Sequence, residues 1–131
     1  MRKNEMAELV VDWETLGNNF DNDKFAISLV VDAFLTGVDE SLLKVTVAVK
    51  ARDPKAIAMS AHAIKGAILN FGAKEAIRCA QELESQGYEG LKADIDVSYQ
   101  ALADAVAGLV LELKSETARL EARRFSDLCT F

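Results

Sequence analysis

The sequence predicts an all-α protein, an up-and-down antiparallel four-helix bundle with a short N-terminal helical element and a long C-terminal helix. Three observations carry this. The 131 residues include a single proline. Strand-like alternation is nowhere sustained. Apolar residues recur at intervals of three and four along most of the chain, the spacing that builds one face of an α-helix.

The elements follow in order. Before Asp23, the residues Val10, Val11, Trp13, Leu16 and Phe20 form a short apolar element suited to covering one end of a bundle. Asp23 can cap a helix running to about residue 36, in which Phe25, Leu29, Val30 and Phe34 recur at helical spacing before Gly37 stops it. Asp39 can cap a second helix to about residue 51, with Leu42, Leu43, Val47 and Val49 largely inward. The pair Asp53-Pro54 announces a third start: the Asp side chain caps, and Pro fits the first helical position, where a backbone N–H has no partner. That helix is expected over 54–71, ending where Gly72 can take up the left-handed conformation. A fourth helix spans about 73–86, before Gly87 and Gly90 break the chain. The last starts near residue 94, and its stripe of Ile95, Tyr99, Leu102, Val106, Leu109, Leu113 and Leu120 is interrupted by Glu116. Short connections favour antiparallel neighbours, hence the bundle.

Size, charge and composition narrow the function classes. A chain of this length makes one domain, 1–131, with a core at about 10–113 and a C-terminal extension at about 114–131. A formal charge of −6 opposes nucleic-acid binding, which needs clustered Lys and Arg on one face. The local cluster Arg119, Arg123 and Arg124 lies among Glu116, Glu121 and Asp127 and reads as a solvated helix end. No apolar run approaches the ~20 residues needed to cross a bilayer, and the N-terminus lacks a signal-peptide pattern, so a cytoplasmic protein is expected. Cys79 and Cys129 are in no metal-like or redox-like spacing and read as reduced, structural thiols.

The one histidine stands apart from the core pattern. In the third helix Ile57, Ala61, Ile64, Ile68 and Phe71 form the inward stripe, and His62 falls roughly 140° from its centre on a wheel of ~100° per residue. Its company is Ala58, Met59, Lys65, Gly66 and Leu69. An outward face of small and apolar side chains around an imidazole suggests a docking surface, with Ala58, Met59, Gly66 and Leu69 meeting a partner. Gly66 would admit a close backbone approach, a benefit to set against the ~1 kcal/mol that Gly costs relative to Ala inside a helix. Lys65, three residues on, can neutralise an anion held at the ring. A lone surface histidine is commonly only that, and one histidine with two distant cysteines makes no zinc set.

The stretch His62-Ala63-Ile64-Lys65-Gly66-Ala67, followed by Asn70, Phe71, Gly72 and Ala73, resembles the signature of histidine phosphotransfer (HPt) domains. The pattern is His, any residue, an aliphatic residue, Lys, Gly, small residues and a Gly-Ala helix break. The similarity extends through Val11-Asp12-Trp13, the Phe34 helix and Asp53 upstream, and through Cys79-Ala80-Gln81-Glu82-Leu83-Glu84 downstream. The resemblance implies that His62 is the phosphoacceptor, that Lys65 stabilises the phosphoryl charge and that Glu84 orients the imidazole through its other nitrogen. It further implies a two-component phosphorelay whose partners are a response-regulator receiver domain, a histidine kinase or both. No cofactor is expected in the chain itself, Mg²⁺ being supplied by the receiver. Ile68 departs from the pattern, since the family usually has a small residue there, and residues 114–131 have no usable counterpart.

No nucleotide-binding loop, kinase signature or hydrolase triad is visible, so a phosphocarrier without kinase or hydrolase activity of its own is expected. The alternatives are a non-phosphorylated interaction module using the same His62 face, and self-association through the long last helix.

Overall fold

The computed structural model describes the backbone of residues 10–129 and the side chains of residues 10–115. Among the described residues five helices follow one another: α1 (Trp13–Asn19), α2 (Lys24–Ala51), α3 (Pro54–Leu69), α4 (Lys74–Glu89) and α5 (Ile95–Cys129). The described backbone contains no strand. The four long helices form a closed ring of neighbours, with α2 against α3, α3 against α4, α4 against α5 and α5 back against α2. The bundle is therefore of the predicted up-and-down type. None of the described helices is long and apolar enough to cross a membrane.

One predicted boundary is absent. Gly37 and Asp39 do not divide the chain; α2 is a single helix of 28 residues. Its buried residues Val31, Phe34, Val38, Val45 and Val49 keep one helical phase across Gly37. Burial of that unbroken stripe outweighs the ~1 kcal/mol cost of a mid-helix glycine. The same phase corrects the inward assignment of Leu43 and Val47. Phe25, Leu29, Leu43 and Val47 lie opposite the stripe and are more than half exposed.

The caps that set up α3 are as expected. The Asp53 carboxylate accepts the Ala56 N–H at 3.2 Å, and Pro54 occupies the first turn. Arg52, left-handed at φ 55°, closes α2 and makes a two-pronged ion pair with Asp96 at the start of α5. At the other end of α3, Gly72 has φ 57° and lies so near Asp12 that a β-carbon would come within 2.8 Å of the Asp12 Cβ. Only glycine meets both conditions.

The N-terminal element does close one end of the bundle. Val11 and Leu16 are buried, and the Asp12 N–H donates to the Phe71 carbonyl at 2.9 Å. Glu112 of α5 fastens the segment by accepting from the N–H groups of Val10 and Val11 and from the Trp13 indole. Behind it, Phe34 and Phe71 meet edge to face with ring centres 5.0 Å apart. On α5 the predicted stripe of Ile95, Leu102, Val106, Leu109 and Leu113 is buried. The side chains of Glu116, Arg119, Leu120, Glu121, Arg123, Arg124, Asp127 and Cys129 lie outside the described residues.

Candidate functional site

The site is built where α3 and α4 run unusually close. Ala58 and Ala61 of α3, and Ala76 and Ala80 of α4, are all buried, so little side-chain bulk separates the two helices. Gly87 takes this furthest. A β-carbon there would lie 2.7 Å from the Ala58 Cβ, the Ala58 nitrogen and the Pro54 carbonyl oxygen. Gly87 is therefore an interhelical contact inside α4 and not a break, and the helix continues to Glu89 before Gly90, at φ 124°, ends it. The contact also corrects the placement of Ala58. That residue is 2 % exposed, covered by Gly87, and belongs to the core and not to a docking surface.

With the helices drawn together, side chains on their outer edges meet. The His62 side chain is 67 % exposed, and its Nδ1 lies 2.8 Å from Oε2 of Glu84, whose own side chain is only 9 % exposed. Lys65 Nζ stands 2.7 Å from the other carboxylate oxygen, Oε1. That contact is an ion pair. The ammonium also donates to Gln81 Oε1 at 2.8 Å. Lys65 holds the Glu84 carboxyl below the usual Glu range; burial opposes this shift and the His62 contact adds to it. Glu84 is thus ionised at neutral pH.

An ionised carboxylate can only accept, so the proton between Glu84 and His62 resides on Nδ1. That fixes the tautomer. The lone pair is left on Nε2, which has no hydrogen-bond partner among the described residues. The site thus presents one oriented nitrogen nucleophile on an open surface, with a negative charge behind the ring to compensate a positive one developing on it.

Around the histidine, Met59 and Leu69 are 61 % and 50 % exposed, and Gly66 is exposed with nothing within 4 Å of where a β-carbon would stand. Tyr88, 71 % exposed, lies one turn after Glu84 along α4. Sequence reasoning passed over Gln81 and Tyr88. The available signal was spacing, since Gln81 and Tyr88 flank Glu84 at minus three and plus four on one helical face.

Other features of the molecule carry less chemistry. Cys79 is buried, and burial pushes its thiol pKa up, which disfavours the reactive thiolate. A cleft of about 630 Å³ lies between the N-terminal segment, the Gly72 turn, the start of α4 and α5, and its described lining has no histidine, cysteine, serine or threonine. Among the described residues no three His, Cys, Asp or Glu side chains converge as a metal site would require.

A crystal structure of histidine-containing phosphotransfer protein B (HptB) from Pseudomonas aeruginosa PAO1 shares the fold, with a TM-score of 0.77 and 22 % sequence identity over 86 % of this chain and 97 % of that one. No curated protein sequence gives a significant match. The family model described as Hpt domain matches residues 29–128, which include α3, α4 and the whole His62 site, and the chain belongs to the Hpt domain family.

Proposed function

We propose that this Hpt domain carries a phosphoryl group on Nε2 of His62, receiving it from a receiver-domain aspartate or a histidine kinase and passing it to another receiver. The observation that carries the reading is the ring itself: outward-facing, with Nδ1 committed to Glu84 and Nε2 open. In transfer from an aspartyl phosphate, the Nε2 lone pair attacks phosphorus. The N–P bond forms as the P–O bond to the aspartate breaks, returning a carboxylate to the donor. The ring keeps its Nδ1 proton and becomes cationic, and Glu84 compensates that charge. Passing the group on reverses each step, with the imidazole as leaving group.

Catalytic assistance comes from the partner. A receiver would bring Mg²⁺ and the acidic residues that hold it. Met59, Gly66 and Leu69 form the docking surface in this reading, and Lys65 supplies positive charge beside the ring, 2.7 Å from the carboxylate that supports it. The chain acts as a carrier in this scheme, without kinase or hydrolase activity of its own, and a cytoplasmic location fits it.

The test is phosphotransfer from phosphorylated receivers and kinases of the same cell to the protein and to its His62→Gln variant. Acid-labile, base-stable label on the unmutated protein alone is the expected result. No label from any donor would overturn the reading in favour of a non-phosphorylated interaction module.

A further inference from the structure

Lys65 follows His62 by three residues on α3, and its ammonium is already engaged. Its side chain is 19 % exposed, held by Glu84 on one side and by Gln81 Oε1 on the other. Gln81 is fixed in turn, because its amide nitrogen donates to Ser85 Oγ at 3.3 Å, one turn along α4. An ammonium has donors only, so the Gln81 amide must turn its oxygen to Lys65, and Ser85 supports that orientation. The four side chains form a chain in space: Gln81 anchors Lys65, Lys65 occupies Oε1 of Glu84, and Oε2 is left to His62.

We infer that Gln81 is a positioning residue for phosphoryl transfer, acting through Lys65 and Glu84 to hold the His62 ring in the Nδ1–H tautomer that exposes Nε2. The inference rests on the phosphocarrier reading for its purpose, but its geometry does not. A carboxylate with one oxygen pinned by a cation keeps the other aimed in a fixed direction. When the pin is loosened, the Glu84 side chain gains rotational freedom and its hold on Nδ1 weakens. The ring can then place its proton on Nε2, where it blocks attack. Gln81 is itself exposed and is hydrogen-bonded to Lys65 and Ser85, so its effect passes through Lys65 and Glu84.

Two variants of the full chain decide the matter. Gln81→Leu removes the acceptor at similar size, whereas Gln81→Glu restores an acceptor for the ammonium. Ring ¹⁵N shifts in the ¹⁵N-histidine-labelled, unphosphorylated protein report the tautomer directly, and phosphotransfer rates report the consequence. In Gln81→Leu the ratio of Nδ1–H to Nε2–H tautomer should fall about three- to ten-fold, the weight of one hydrogen bond, with the phosphorylation rate falling in proportion to the fraction of rings left as Nδ1–H and an unchanged helical spectrum. Gln81→Glu should restore the unmutated ratio. A Gln81→Leu protein with the unmutated tautomer ratio, or a Gln81→Glu protein equally impaired, would overturn the proposal. The tautomer arm needs no donor. Unmutated protein that takes label from none of the donors would therefore sink the phosphocarrier reading while leaving Gln81 still decided by the ring shifts.

Discussion

Replacing Gly66 with alanine should separate what α3 needs to fold from what it needs to function. Gly66 lies in the fourth turn of a 16-residue helix, and a β-carbon built there meets nothing within 4 Å. No internal contact or positive φ calls for glycine at this position. Relief of its backbone entropy should then stabilise Gly66→Ala by about 0.5–1 kcal/mol. For a chain of this size that corresponds to a rise in Tm of about 3 °C. If Gly66 is kept bare for a partner's close approach one turn from His62, the same methyl should slow phosphotransfer. Thermal unfolding by circular dichroism and initial rates of labelling from one phosphorylated receiver, measured on the same preparations, give both numbers. A variant that is more stable and transfers at the unmutated rate would refute the docking argument. One that is less stable would refute the helix argument.

Gly87→Ala should behave in the opposite way, because its methyl would be driven to 2.7 Å from Ala58 and the Pro54 carbonyl. Overpacking of this kind costs about 1–3 kcal/mol, to be read from chemical denaturation, and by prising α4 from α3 it should also weaken the His62–Glu84 contact and slow transfer. Unchanged stability would mean that the helices are not in tight register. Glu84 should confer a pH-dependent stability. Its pKa is lowered in the folded protein, chiefly by Lys65, so the contribution is fully present above the ordinary Glu range near ~4.3 and is lost as pH falls through the lower folded value. The gap in Tm between the protein and Glu84→Gln should be open at pH 7 and close toward pH 3; a gap that widens on acidification would contradict the ion pair.

Much of this site is legible in one helix of sequence. Asp53 and Pro54 start α3, Gly72 follows its end, and the stripe of Ile57, Ala61, Ile64 and Ile68 turns His62 outward, because each of these signals is local. The errors came where a local signal was outweighed by something across the bundle. Gly37 followed by Asp39 has the form of a stop and a start, but the continuous stripe from Val31 to Val49 decides for one helix. Ala58 looks peripheral on a wheel of α3 alone; it is covered by Gly87, 29 residues later, whose missing side chain was itself mistaken for a helix end. Glu84 entered through family resemblance, and the pairing of Lys65 with Gln81 spans 16 residues and two helices, beyond the reach of helical periodicity.

The division between a fixed interior edge and a bare outer surface explains how one small bundle can both receive and donate the same group. Carrying in both directions requires that the imidazole be neither so basic that it is always protonated nor so poor a leaving group that the phosphoramidate is a dead end. In the proposed cycle a single carboxylate behind Nδ1 serves both directions, since it keeps Nε2 free for attack and then stabilises the cationic ring that must leave. Lys65 shares that carboxylate, pairing with Oε1 while Oε2 faces the ring. The tight alanine and glycine contact between α3 and α4 sets the spacing of the helices that carry these groups. In the proposed reading, selectivity among donors and acceptors falls to side chains such as Met59, Leu69 and Tyr88, which are exposed and stand apart from the carboxylate, the ammonium and the ring.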